Sequence, residues 1–154
     1  MKKTKLINIS LLTLTLLSSC GQKDFTKTNL IKPEDFFVSS YSKYGVYYFQ
    51  ENCPMCVDTL PFITEYLNKV ERNRDKYELK EIYFINAEQT PLNRFDISDR
   101  TLFLENQIGV SNYKDVLTIG YPLLYIVENI DGLNTIVDIK IGKAATTEYI
   151  KTIW

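Results

Sequence analysis

Val46-Tyr47-Tyr48-Phe49-Gln50-Glu51-Asn52-Cys53-Pro54-Met55-Cys56 is the stretch on which the fold turns. Its four leading apolar residues predict a strand. Beyond it Val57, Leu60, Ile63, Leu67 and Val70 recur at helical spacing and predict a helix running to Val70. Pro61 lies inside that helix and predicts a kink. Cys53 and Cys56 therefore stand where a strand hands over to a helix. Two cysteines at this spacing can close a small disulfide ring with little strain. At a helix start the unpaired N–H groups and the positive end of the dipole stabilise a thiolate. Cys53 is thereby the expected nucleophile and Cys56 its resolver, with Asn52, Pro54 and Met55 flanking them. The chemistry expected is thiol–disulfide exchange.

Two other uses of the pair fit less well. A zinc half-site needs two more ligands. The chain has no histidine, and its only other cysteine is Cys20, so no metal site is expected. A purely structural bridge across so short a loop removes little chain entropy.

The beginning of the chain has export character. Lys2, Lys3 and Lys5 precede an apolar run from Leu6 to Leu17, and Leu17-Ser18-Ser19-Cys20 closes it with small residues before a cysteine. This pattern resembles a bacterial lipoprotein signal, which implies that residues 1–19 are removed and Cys20 is lipidated. The run is well short of the roughly twenty residues that a spanning helix needs. Three cysteines then divide into one anchor and one redox pair. Loss of Lys2, Lys3 and Lys5 takes the formal charge from −1 to −4, and no basic face for nucleic acid is implied. The expected location is the extracytoplasmic face of the bacterial cell membrane, where disulfides persist, with residues 20–30 as the lipidated cysteine and a polar tether.

Residues 31–154 are expected to form one domain. Pro33 to Tyr41 is predicted as a short helix contacting the rest through Phe36, Phe37 and Tyr41. Ile82-Tyr83-Phe84-Ile85 is a second strand without polar alternation, as in a sheet covered on both faces. A helix is expected from about Ser98 to Gln107, and Leu123 to Val127 is a third strand. Asp131-Gly132 marks a hairpin tip, and Thr135 to Ile141 alternates as an antiparallel strand. Gly142 ends that strand, and Thr146 to Trp154 closes the chain as a helix. The order is β-α-β-α-β-β-α.

That order, with CxxC at the first strand–helix junction, resembles the thioredoxin superfamily. Pro61 stands where thioredoxins place a kinking proline, and Asp131-Gly132 and Gly142 match the final hairpin and the glycine after it. Tyr121-Pro122 precedes the third strand where the family has a residue followed by a cis-proline. The resemblance implies an α/β, thioredoxin-like three-layer sandwich: a central mixed sheet, helices on both faces, and a helical insertion before the cis-proline strand. It further implies that Tyr121 and Pro122 bind substrate backbone, although Tyr121 serves equally as cover over the pair. The family's buried acid falls at Tyr47 and its lysine partner near Phe84. Glu51, Asp58, Glu88 or water is then left to move protons. The sequence Glu51 to Cys56 with the lipoprotein signal further resembles Gram-positive thioredoxin-like lipoproteins, including bacteriocin transport accessory proteins.

The function expected is that of a membrane-anchored thiol–disulfide oxidoreductase without a cofactor. Oxidation, reduction and isomerisation of disulfides fit equally. Its partners would be exported cysteine-containing proteins and a membrane redox partner. The competing expectation is a non-catalytic thioredoxin-fold lipoprotein that binds Cu(I) or supports a secretion or bacteriocin export system.

Overall fold

A computed structural model describes residues 23–96 and 98–154. Its centre is a four-stranded sheet in the order β2-β1-β5-β6. These strands are β1 (Lys43–Phe49), β2 (Ile82–Asn86), β5 (Leu123–Ile130) and β6 (Leu133–Ile141). β2 runs parallel to β1, while β5 is antiparallel to β1 and β6 to β5. The long helix α2 (Pro54–Arg72) connects β1 to β2, and α4 (Gly142–Thr152) follows β6. Both pack on one face of the sheet. Tyr47, Phe49, Phe84, Leu124 and Ile126 meet Ile63, Leu67 and Ile150 there. On the other face Val46, Tyr48, Leu123, Tyr125 and Val127 lie beneath Phe36, Leu92, Phe103 and Val116. Phe103 belongs to α3 (Arg100–Gln107). This is the three-layer, thioredoxin-like arrangement, with the insertion between β2 and β5 covering the second face.

The continuous apolar strands are explained by this double cover, since residues on both faces of β1 and β5 are buried. Gly45 is required by packing: a Cβ there would sit 3.0 Å from Leu124 Cδ1 and 3.2 Å from Ile82 Cγ1. At the hairpin tip Asp131 (φ 53°) and Gly132 (φ 88°) both take positive φ, the two-residue turn that matches strand twist.

Several expectations are corrected. Only Pro33–Asp35 is helical, as one 3-10 turn, in place of a helix to Tyr41. Phe36 nevertheless reaches the core, where its ring meets Tyr125 edge-on at 5.2 Å. The alternation expected over Thr135 to Ile141 is broken by a register shift between Ile126 and Val127. One extra β6 residue there lets Ile136 and Ile139, three apart, both reach the second face. Gly142 (φ 83°) ends β6 as expected but also opens α4, so the helix begins four residues earlier than Thr146.

Within the stretch assigned to a tether, α1 (Phe25–Thr28) buries Phe25 in the first core. Leu30 then bridges to Phe84 as a one-residue parallel extension of the sheet. The packed domain therefore starts ahead of residue 31. Two short strands, β3 (Asn93–Arg94) and β4 (Leu117–Thr118), pair in parallel inside the insertion and carry no sequence signal of their own.

Candidate redox site

Phe49 ends β1, and the chain turns through Gln50 to Asn52 into α2. Cys53 is the N-cap of that helix, with extended backbone, and Pro54 occupies the first helical position, where its missing N–H costs nothing. The Cys56 N–H donates to Cys53 Sγ at 3.2 Å. That bond satisfies a helix-start donor with sulfur, and sulfur accepts it best as a thiolate. Cys53 is half-buried and Cys56 fully buried. Burial pushes the Cys56 thiol from an ordinary 9.0 up to about 12, and its hydrogen bond with Cys53 adds to the shift. One sulfur is offered to solvent and its partner is held neutral behind it.

Beneath the pair lies Tyr47, fully buried, whose hydroxyl donates to the Cys56 carbonyl at 3.3 Å. Its register partner is Phe84, and the two rings meet edge-on at 5.9 Å. The places where the resemblance implies an acid and a lysine thus hold a phenol and a phenyl ring. Burial raises the Tyr47 phenol well above its usual range, so it is no base at neutral pH. The remaining acids are each engaged. Glu51 accepts from Asn86 Nδ2 at 2.9 Å, Glu88 accepts from Asn52 Nδ2 at 3.4 Å, and Asp58 accepts from Lys143 Nζ at 2.8 Å.

Asn86 is the site residue that sequence reasoning missed. It is buried at the end of β2, gives one amide hydrogen to Glu51 and accepts the Glu88 N–H at 2.9 Å. Together with the Asn52–Glu88 bond it ties the cysteine loop to the neighbouring strand end. A polar residue closing an apolar run was the available signal.

The pairing of Tyr48 with Leu123 brings the entry of β5 to the same end of the sheet as Cys53. The Tyr121–Pro122 bond there is cis, and Pro122 is buried. The Tyr121 ring lies 5.3 Å from that of Tyr48 and is half-buried. Met55 is half exposed and lines a groove of about 810 Å³ together with Phe62, Ile141, Gly142 and Thr147. Among the described residues, no group of three or more histidines, cysteines or acids is placed to hold a metal ion. Cys20 and the preceding signal lie outside the described residues.

Strand order, a CxxC at the β1–α2 junction and a cis-proline entering β5 make this a thioredoxin-like fold. No family model and no curated protein matches the sequence. Solved structures similar to the chain include oxidized mitochondrial thioredoxin 3 from Saccharomyces cerevisiae. It is 14% identical over 74% of this chain and 78% of that one, with a TM-score of 0.43. Plasmodium falciparum thioredoxin is 14% identical over 80% and 82%, with a TM-score of 0.46. Chloroplastic thioredoxin z is 15% identical over 81% and 92%, with a TM-score of 0.44.

Proposed function

We propose that the chain is an extracytoplasmic, membrane-anchored thiol–disulfide oxidoreductase acting on exported cysteine-containing proteins. The observation that supports the exchange chemistry is the asymmetry of the pair: an accessible Cys53 capping α2, and a buried Cys56 whose N–H points at the Cys53 sulfur. As a reductant, the Cys53 thiolate attacks a substrate disulfide. A Cys53–substrate S–S bond forms, the substrate S–S bond breaks, and the leaving thiolate takes a proton from solvent. Cys56 then loses its proton to solvent and attacks Cys53 Sγ. The second substrate thiolate leaves, so the substrate gains two electrons and the pair becomes a disulfide. Oxidation of a dithiol substrate is the same sequence reversed. With Tyr47 and Phe84 beneath the pair supplying no base, hydroxide or water is taken as the proton acceptor for Cys56.

Export and lipidation at Cys20 are supported by the lysine-rich start, the short apolar run and Leu17-Ser18-Ser19-Cys20. In cells carrying Cys56→Ser, Cys53 should accumulate mixed disulfides with exported proteins, visible as thiol-sensitive bands on a non-reducing gel. Their absence, or their persistence in the Cys53→Ser, Cys56→Ser double variant, would refute the assignment.

A further inference from the structure

The end of the molecule opposite Cys53 gathers features that the redox chemistry does not use. α2 starts at the pair and runs its 19 residues, about 28 Å, away from it. In its last turn Glu71 is ion-paired with Lys23, the first described residue. β5 runs toward this same end, β6 leaves it, and α4 descends to it from Gly142, whose N–H donates to the Pro122 carbonyl at 2.8 Å.

Large apolar side chains are exposed at this end. Ile130 (48% exposed) and Leu133 (56%) flank the β5–β6 turn, and Trp154 (41%) follows α4. Val38 (69%) sits beside the turn, because Asn134 Nδ2 donates to the carbonyl of its neighbour Phe37 at 2.7 Å. The Trp154 ring carries Lys69 Nζ 3.6 Å from its centre. Aliphatic groups, an indole and a lysine at one end of a domain are the residue types that settle at the boundary between lipid and water.

The length of chain before Lys23 selects the occupant. Cys20 is three residues away, a reach of at most about 11 Å. An acyl group on Cys20 would therefore bring bilayer and apolar end together at high effective concentration, so that contacts too weak alone become favourable.

We propose that Val38, Ile130, Leu133 and Trp154 rest in the headgroup layer of the bilayer that holds Cys20, so that Cys53 faces away from the lipid. This rests on the lipid-anchored reading. Its consequence for partners is specific: a membrane redox partner must present its cysteines well above the headgroups, about the length of α2 from the surface.

Trp154 is the only tryptophan and reports directly on this contact. The native acylated protein, checked by intact mass, is placed in vesicles of phosphatidylethanolamine and phosphatidylglycerol that contain a phosphatidylcholine brominated high on its acyl chains. Trp154 should lose most of its emission. The double variant Ile130→Asp, Leu133→Asp, altered only at exposed positions, should recover it while remaining vesicle-bound. Cys53 should react with a membrane-impermeant maleimide equally fast on vesicles and in detergent. Acylated, vesicle-bound protein with unquenched Trp154, or quenching untouched by the double variant, would overturn the proposal alone. Protein lacking the acyl group would overturn the anchored reading and this proposal with it.

Discussion

The two faces of the sheet are covered by different means. On one, α2 and α4 satisfy their own backbone groups, and the strands need to supply little beyond apolar surface. On the other, most of the cover is irregular chain whose N–H and C=O groups lack helical partners. Buried tyrosines on the strands provide them. Tyr44 donates to the Phe36 carbonyl at 3.1 Å, Tyr125 to the Leu117 carbonyl at 2.6 Å, and Tyr48 accepts the Leu92 N–H at 3.0 Å. The helical face has a single such strand tyrosine, Tyr47, and it lies under the cysteines. One face thus hosts the chemistry, and the other holds the insertion and the Phe36 segment in place through phenol hydroxyls. Buried backbone must be paired, and where the cover does not pair with itself the sheet has to do it.

The largest effect that separates the faces is on chemistry. Cys53→Ser should abolish exchange with a small aromatic disulfide while leaving the thermal midpoint nearly unchanged. Serine is itself a good N-cap, and the position is partly exposed. Residual exchange in that variant would move the nucleophile elsewhere.

Next comes the pH dependence of Cys56. With its thiol held up to about 12, release of a small thiol from a Cys53 mixed disulfide should accelerate roughly tenfold per pH unit through neutrality. Single-turnover kinetics measure it, and a flat profile would reveal a resident base. The same shift bears on stability. The neutral thiol is favoured in the folded, reduced protein, so its contribution is complete below the ordinary 9.0 and is lost as pH rises toward about 12. Urea unfolding of the reduced protein across that window should show the decline.

On the far face, Tyr125→Phe leaves the Leu117 carbonyl without its donor. It should cost about 1–3 kcal/mol in urea unfolding with exchange rates intact. A rate change of the same size would mean that the faces are not independent. Smallest is Tyr47→Phe, which removes one long bond to a carbonyl already inside a helix and should cost about 0.5–1.5 kcal/mol. Cys56 release should stay within a few-fold. A large loss there would make the phenol part of the proton path.

The same contrast explains what the sequence made legible. α2 announces itself because its stripe from Val57 to Val70 repeats with the helical period, and β1, β2 and β5 because unbroken apolar runs need two covers. CxxC and the Asp131-Gly132 turn are local signatures whose geometry follows from a few adjacent residues, whereas the cis bond before Pro122 was legible only through the family resemblance. The second cover is different. Phe36, Leu92 and Val116 are buried by long-range fit, without periodicity, and the tyrosines that fasten them look like ordinary strand residues. Asn86 was hidden for the same reason, since its partners Glu51 and Glu88 lie on separate loops. The β6 bulge turns an expected two-residue alternation into a three-residue spacing that only the register with β5 can reveal.

The sheet's two outer margins are each blocked by a short piece of non-strand chain. On β2 the Ile31 N–H donates to the Phe84 carbonyl and the Phe84 N–H to that of Asn29, each at 2.9 Å. On β6 the Gly109 N–H reaches the Ile136 carbonyl and the Ile136 N–H that of Val110, again at 2.9 Å. Each blocking piece occupies hydrogen-bonding positions that another extended chain would otherwise take. Such protection matters for any sheet that folds among other chains. A shortened version starting at Pro33 would uncover the β2 margin and take Phe25 from the core, trading a self-contained sheet for one open to edge-to-edge stacking.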